Sequence, residues 1–150
     1  MRQKYTSADT SINCKKRPAI YGKVNYTDGT VIDYGCGKHF DEYGLPANVR
    51  GYDPYNRPDE DVLNSHYDKA FCSNVLNVIA EKEVRTDILR TLQALADVVY
   101  ITVYEGDGTG KGKPTKKDCY QLNRKMREYL DEVREVFQTV NIKRNVIIAR

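Results

Sequence analysis

"TVIDYGCGKHFDEYG", Thr30 to Gly44, sets an apolar run, an acid and a Gly-x-Gly turn side by side. Val31 and Ile32 precede Asp33 without alternating polar residues, the pattern of a strand buried on both faces of a parallel sheet. Gly35 and Gly37 follow. Lacking Cβ atoms, they permit backbone conformations and close ligand approach that other residues resist. An ordinary tight turn needs glycine for the same reason, so the surrounding sequence has to decide between turn and site.

Outward from this stretch, strands and helices alternate. Upstream, Met1 to about Asp9 reads as a frayed end, a short helix is predicted from Pro18, and "YTDGT" (Tyr26 to Thr30) is a turn. Downstream, His39 to Leu45 forms a short helix stopped by Pro46, and Asn48 to Asp53 a second strand broken by Pro54. A tiny strand is expected near Val62 and Leu63, and a stronger one over Lys69 to Cys72. Val84, Ile88, Leu92 and Leu95 recur at helical spacing. "DVVYITVYE", Asp97 to Glu105, is the clearest strand, followed by the glycine-rich "GDGTGKGKP". Thr115, with Asp118 three residues on, is close to a capping box. It predicts a helix carrying Leu122, Met126, Tyr129, Val133 and Phe137 as a core stripe. Two strands end the chain, with a turn near Lys143 and Arg144. The expected fold is therefore α/β: a mostly parallel sheet with helices on both faces and a C-terminal antiparallel hairpin, in one domain over residues 1–150.

Composition bounds the alternatives. The chain has 150 residues, 40% hydrophobic and 30% charged, a soluble globular balance. No apolar run approaches the roughly 20 residues of a membrane span, and no secretory signal opens the sequence, so no membrane partner and a cytoplasmic location are expected. Cys14, Cys36, Cys72 and Cys119 are scattered and only His39 and His66 could join them, which argues for free thiols and against a structural metal. The net charge of +3 neither demands nor excludes nucleic acid. The one cationic cluster is "GKGKPTKK", with Lys111, Lys113, Lys116 and Lys117. Such a loop is ordinarily just solvated.

Ligands of parallel α/β sheets bind beyond the carboxyl ends of the strands, where chain direction switches. Gly35 and Gly37 stand at such an end. Asp53 closes the next strand twenty residues after Asp33. An acid there suits the two hydroxyls of a ribose, although Asp53 could equally cap a turn with Pro54. Together the two signals favour an adenosine-type ligand. Phe40 stands where a dinucleotide fingerprint wants its third glycine, which argues against a pyrophosphate.

"VIDYGCGK" resembles the first motif of class I S-adenosylmethionine-dependent methyltransferases, hydrophobic-hydrophobic-Asp-x-Gly-x-Gly. "GYDPY" sits where that family has its ribose-binding acid, and "KAFCSNVLNVI" where it has its fourth strand and active-site loop. The likeness covers most of Thr30 to Arg150 and includes the seven-strand order with its terminal hairpin. More narrowly, "DYGCGK", "GYDP" and "NVLNVI" are similar to methyltransferase-like proteins of DNA phosphorothioation systems and to small phage-borne relatives. The resemblance implies S-adenosyl-L-methionine as cofactor. Asp33, Tyr34, Gly35 and Gly37 would line its methionine and sugar, Asp53 would hold the ribose, and Pro54 and Tyr55 would flank adenine. Ser73, Asn74 and Asn77 would face the methyl group, with Glu105 the general-base candidate; an asparagine capping the next helix is the plainer reading of Asn74 or Asn77. His39 replaces the family's further glycine, and its third strand is nearly missing. "DPYN" is out of place for the Asp/Asn-Pro-Pro-Tyr box of amino-methylating DNA enzymes, which follows the fourth strand.

Methyl transfer from a sulfonium is largely a matter of proximity and alignment, so no triad or metal is required. Acceptor choice falls to residues 1–25, read as an N-terminal cover, and to the loop from Tyr104 to Asp118. Gln121 and Arg124, on the helix expected to follow, would support them. An anionic or nucleic-acid-related acceptor is expected if the lysines border the site. The alternatives are a catalytically silent cofactor-binding subunit and another S-adenosylmethionine-consuming enzyme on this fold. Oligomeric state has no signature in the sequence.

Overall fold

The computed structural model describes residues 17–115 and 119–150. Cys14, Lys116, Lys117, Asp118 and most of the expected N-terminal cover lie outside them. The strand that carries Val31 and Ile32 is β1 (Val31–Tyr34), flanked in parallel by β2 (Val49–Tyr52) and β3 (Tyr67–Ser73). Beyond β3 lies β4 (Ala96–Thr102), also parallel. The sheet ends with the hairpin β7 (Val140–Lys143) and β8 (Val146–Ala149), β8 running antiparallel to β4. The strand order is β2-β1-β3-β4-β8-β7. This is the anticipated mostly parallel sheet with an antiparallel edge. Its terminal turn places Arg144 and Asn145 at φ 54° and 62°, a pairing whose twist suits a two-residue hairpin.

Side chains alternate across the sheet and split the core in two. Ile32, Ala70, Cys72, Val99 and Ile101 pack on one face with Leu89 and Leu92 of helix α1 (Lys82–Leu95). Tyr129, Val133 and Phe137 join them from the C-terminal region. Val31 and Phe71 point to the other face, covered by Ile20 and Tyr21 of a 3₁₀ turn (Ala19–Gly22) and by Phe40 and Tyr43 of another (Phe40–Tyr43). One face thus carries a full helix, while the described residues cover the opposite face with short 3₁₀ turns.

Three expectations change. Val62 and Leu63 lie in a 3₁₀ turn (Glu60–Asn64), not a strand, because Asp59 caps it by accepting the Asp61 N–H; β2 is therefore the sheet edge. The helix predicted from Thr115 begins only at Met126. Before it, β5 (Gly112–Pro114) and β6 (Tyr120–Leu122) form a small hairpin, and Gln121 lies on a strand. The Asn123 N–H goes to Lys111 O at 3.1 Å. Glu128 Oε2 accepts from Lys125 N at 2.8 Å, and Glu105 Oε2 from Met126 N at 2.6 Å, so the 3₁₀ turn Met126–Tyr129 and helix α2 (Leu130–Arg134) start there. The stripe of Leu122, Met126, Tyr129, Val133 and Phe137 is nonetheless buried throughout. Finally, α1 is turned about its axis relative to the expected stripe: Arg85, Leu89, Leu92 and Leu95 are buried, while Val84 and Ile88 are half-buried.

Arg85 explains that rotation. Its Nε and Nη2 donate to Glu132 Oε2 and Oε1 at 2.9 and 2.7 Å, and Nη1 donates to Ile79 O and Ala80 O at 2.8 and 3.0 Å. Arg124 adds a bond to Glu132 Oε1 at 3.2 Å. Burial alone would raise the Glu132 carboxyl, but Arg85 and then Arg124 hold it below its ordinary value. The bidentate pair clamps α1, α2 and the segment after β3 together. Glu132→Leu strands a buried guanidinium and should lower stability by about 3 kcal/mol. Adding Arg85→Met should recover most of the loss, read as the midpoint of urea unfolding.

Candidate functional site

The chain leaves β1 toward β2 on one side and returns to β3 on the other, so the switch point lies at the carboxyl ends of β1 and β3. The Gly-x-Gly turn stands there. Gly35 and Gly37 adopt φ 82° and 77°, the left-handed region that residues with a Cβ resist. Gly35 N and Cys36 N both donate to Tyr52 O, at 2.7 and 3.0 Å, which stitches the turn to the end of β2. A Cβ on Gly35 would fall 2.5 Å from Val75 Cγ2, so the loop after β3 lies directly against the turn.

Asp53 completes the stitching. It is fully buried. Its Oδ2 accepts the Gly37 N–H at 3.0 Å; its Oδ1 accepts the N–H groups of Tyr55 and Asn56 at 2.9 and 3.0 Å. The carboxylate both folds its own turn, as the plainer reading held, and holds the glycine turn. Pro54 and Tyr55 ride on that turn and are exposed, Tyr55 by 43%.

Asp33 points the other way from Ile32 and Tyr34, onto the face covered by 3₁₀ turns, and is only 1% exposed. Its Oδ2 accepts from the Tyr21 hydroxyl at 2.5 Å. No lysine or arginine pairs with it among the described residues. Burial, and less strongly the charge of Asp53, push its carboxyl up to about 7 against the opposing Tyr21 hydrogen bond. Burial, together with Asp33, likewise raises the Tyr21 phenol. Nothing in the sequence marks Tyr21 as a partner of the motif acid, because the contact crosses from a 3₁₀ turn to a strand. Tyr34, on the opposite face, stacks at 5.2 Å on Tyr52.

At the neighbouring strand ends, Asn74 N donates to Thr102 O at 2.9 Å, and the Thr102 hydroxyl to Ser73 Oγ at 3.0 Å. Asn74 is exposed at φ 58°, a conformation asparagine tolerates better than most residues and one that recurs at functional sites. Asn77 does not cap α1, whose N-cap is Glu81; it is buried and donates to Gln121 Oε1 at 3.1 Å. Glu105 is half-buried and serves as the cap for Met126. Tyr104 is 63% exposed beside it, and Lys111 and Lys113 are exposed on the β5 side. The structure thus gathers Asp33, Gly35, Gly37 and Asp53 around one turn, with Ser73 at the end of the adjoining strand and Asn74 just beyond it. Among the described residues no cluster of His, Cys, Asp or Glu is arranged to hold a metal, and no helix is long and apolar enough to cross a membrane. Cys36 and Cys72 are buried thiols, and Cys119 is buried as well.

With this geometry in place, the likeness to solved structures is clear. Burkholderia thailandensis 1,6-didemethyltoxoflavin-N1-methyltransferase, solved with 1,6-didemethyltoxoflavin and S-adenosylhomocysteine, matches with a TM-score of 0.61 over 81% of this chain and 70% of that one, at 19% identity. The N-terminal domain of EvdMO1 with S-adenosylhomocysteine bound matches with a TM-score of 0.50 over 88% and 78%, at 11% identity. The chain shares the Rossmann-like fold of that N1-methyltransferase. No family profile matches the chain and no curated protein does.

Asp33 gives the site a pH signature. A carboxyl whose folded value is raised binds its proton more tightly folded than unfolded, so its stabilising contribution is complete below about pH 4 and is lost as pH rises through about 7. The stability of the wild type relative to Asp33→Asn, whose amide does not titrate, should therefore fall between pH 4 and pH 7 and level off above pH 8. Denaturant titrations across that range measure it; a flat difference would place the Asp33 titration elsewhere.

Proposed function

We propose that the protein is an S-adenosylmethionine-dependent methyltransferase. The observation that carries this reading is a buried Asp33, without a cationic partner among the described residues, at a left-handed glycine turn, at the switch point of a fold shared with a methyltransferase. A buried carboxyl raised by burial favours a cationic ligand, since a positive charge beside it restores the ionised form. S-adenosylmethionine carries a sulfonium and an ammonium, and supplies the methyl group. Gly35 and Gly37 let its methionine portion approach the backbone. Asp53, just beyond the end of β2, takes the ribose hydroxyls. Pro54 and Tyr55 flank the adenine, and Tyr34 closes the turn. Ser73, Asn74 and Asn77 border the methyl group, while Glu105 fixes the loop that borders the acceptor.

The acceptor we propose is anionic or nucleic-acid-related, supported by Lys111 and Lys113 on the neighbouring hairpin. The sequence likeness to proteins of phosphorothioation systems and phage points the same way, toward nucleic-acid modification in bacteria.

Isothermal titration with S-adenosylmethionine and S-adenosylhomocysteine tests the reading: both should bind wild type. Asp53→Ala removes charge-assisted hydrogen bonds worth about 1.5–3 kcal/mol and should weaken both at least tenfold. Gly35→Val should abolish binding, because a β-branched side chain both opposes positive φ and collides with Val75. No binding to wild type would overturn the cofactor assignment. Binding without transfer of labelled methyl from cofactor to nucleic acid or nucleotides would identify a silent binder.

A further inference from the structure

Asp33 is ringed by groups that cannot neutralise its charge. Tyr21 faces it from the 3₁₀ turn Ala19–Gly22, Asp53 from the end of β2, Cys36 from the glycine turn and Cys72 from β3. Arg57 acts on Cys36 but is bonded to Asp41 at 2.9 Å. Among the described residues no lysine, arginine or histidine pairs with Asp33. An ionised carboxylate shut away from water is costly without a cation or several hydrogen bonds. Asp33 is buried, accepts from the Tyr21 phenol at 2.5 Å and lies near a second carboxyl, that of Asp53. Glu132 is the internal comparison. It is buried too, but Arg85 and Arg124 bond to it and hold its carboxyl below the ordinary value. Asp33 instead keeps a proton up to about pH 7.

This proton sits at the strand end to which the cofactor is assigned above. Asp33 is the penultimate residue of β1, two before Gly35. In a medium of low dielectric constant, charges act on one another well beyond hydrogen-bond distance. A cation resting on the glycine turn therefore favours the ionised carboxyl without touching it, and drives the proton off. S-adenosylmethionine brings two such charges, its sulfonium and its ammonium.

We propose that S-adenosylmethionine binding is coupled to loss of the Asp33 proton, the positive charge of the cofactor taking the place of the proton inside the protein. This rests on the cofactor assignment above. The carboxyl O–H bond breaks, its electron pair stays on Asp33, and one proton passes to the buffer. Linkage then ties cofactor affinity to pH. While the free protein holds the proton, affinity rises with pH by up to about tenfold per unit, and it levels off once Asp33 is ionised before binding. Tyr21 is the positioning residue: its hydrogen bond favours the ionised carboxyl and so sets the pH at which the rise ends.

The test is calorimetric titration of the full chain with S-adenosylmethionine between about pH 5 and pH 8, repeated at about pH 6.5 in MES and in imidazole, two buffers of different ionisation enthalpy. The α-amino group of the cofactor, with an ordinary value of about 7.7–8.0, stays charged at that pH. The difference in heat between the buffers should report release of about half a proton or more, and affinity should rise at least about fivefold from pH 5 to pH 7. Asp33→Asn, fixed in the neutral state, should release no proton and give a flat profile. That variant keeps His39 and its contact with Glu42 at 3.2 Å, so a slope that survives in it assigns the proton elsewhere and overturns the proposal. Tyr21→Phe should move the level part of the profile to higher pH. S-adenosylhomocysteine keeps the ammonium and lacks the sulfonium: equal release supports coupling through the ammonium, and smaller release supports coupling through the sulfonium. Equal heats in the two buffers with a pH-independent affinity overturn the proposal in the wild type alone, whether or not a variant folds. Failure of S-adenosylmethionine to bind at any pH overturns the methyltransferase reading instead.

Discussion

The carboxylate of Asp53 accepts N–H groups from two separate turns, Gly37 after β1 and Tyr55 and Asn56 after β2. Neither turn is regular structure, so their amides would otherwise need water. One buried anion answers them together, with charge-assisted bonds that are stronger than neutral ones. Gly35 and Cys36 add bonds to Tyr52 O at the same strand end. The geometry of the glycine turn is therefore a property of β2 as much as of β1. The contact of Val75 with Gly35, and through it the placement of the loop after β3, depends on that arrangement.

Around this point the protein distributes buried charge in two different ways. On the helical face, Arg85, Glu132 and Arg124 neutralise one another, and their bonds reach the carbonyls of Ile79 and Ala80. That cluster is closed. On the other face, Asp33 has a phenol for company and, among the described residues, no cation. The two faces thus hold their buried carboxyls differently, one in a closed ion cluster and one on a phenol.

Much of this was legible in the sequence because it is written in local patterns. The non-alternating run Val31–Ile32, the glycines after it and the acid twenty residues on identify a strand, its turn and the neighbouring strand end. The stripe from Leu122 to Phe137 was legible as core and misleading as helix: strand and helix each bury residues at spacings that the stripe satisfies, and the decision fell to Glu105 and Glu128, which cap Met126 and Lys125 from a distance in space or by the local box. Arg85 was invisible as a core residue because a charge on a buried face makes sense only beside Glu132, forty-seven residues away. Tyr21 with Asp33, and Asn77 with Gln121, belong to the same class of long-range polar pairs. Periodicity reports which face a residue takes, and says nothing about what it finds there.

The unequal covers of the sheet have a dynamic consequence. A continuous α-helix of fourteen residues opens as a cooperative unit, whereas isolated 3₁₀ turns have weaker hydrogen-bond geometry and few neighbours to unzip. Among the described residues, the Ala19–Gly22 and Phe40–Tyr43 side should therefore open at the lower free energy, an opening that would lift Tyr21 from Asp33 while β1, β3 and β4 stay paired. Such an opening would bring water to the Asp33 carboxyl, with the rest of the sheet as the rigid frame.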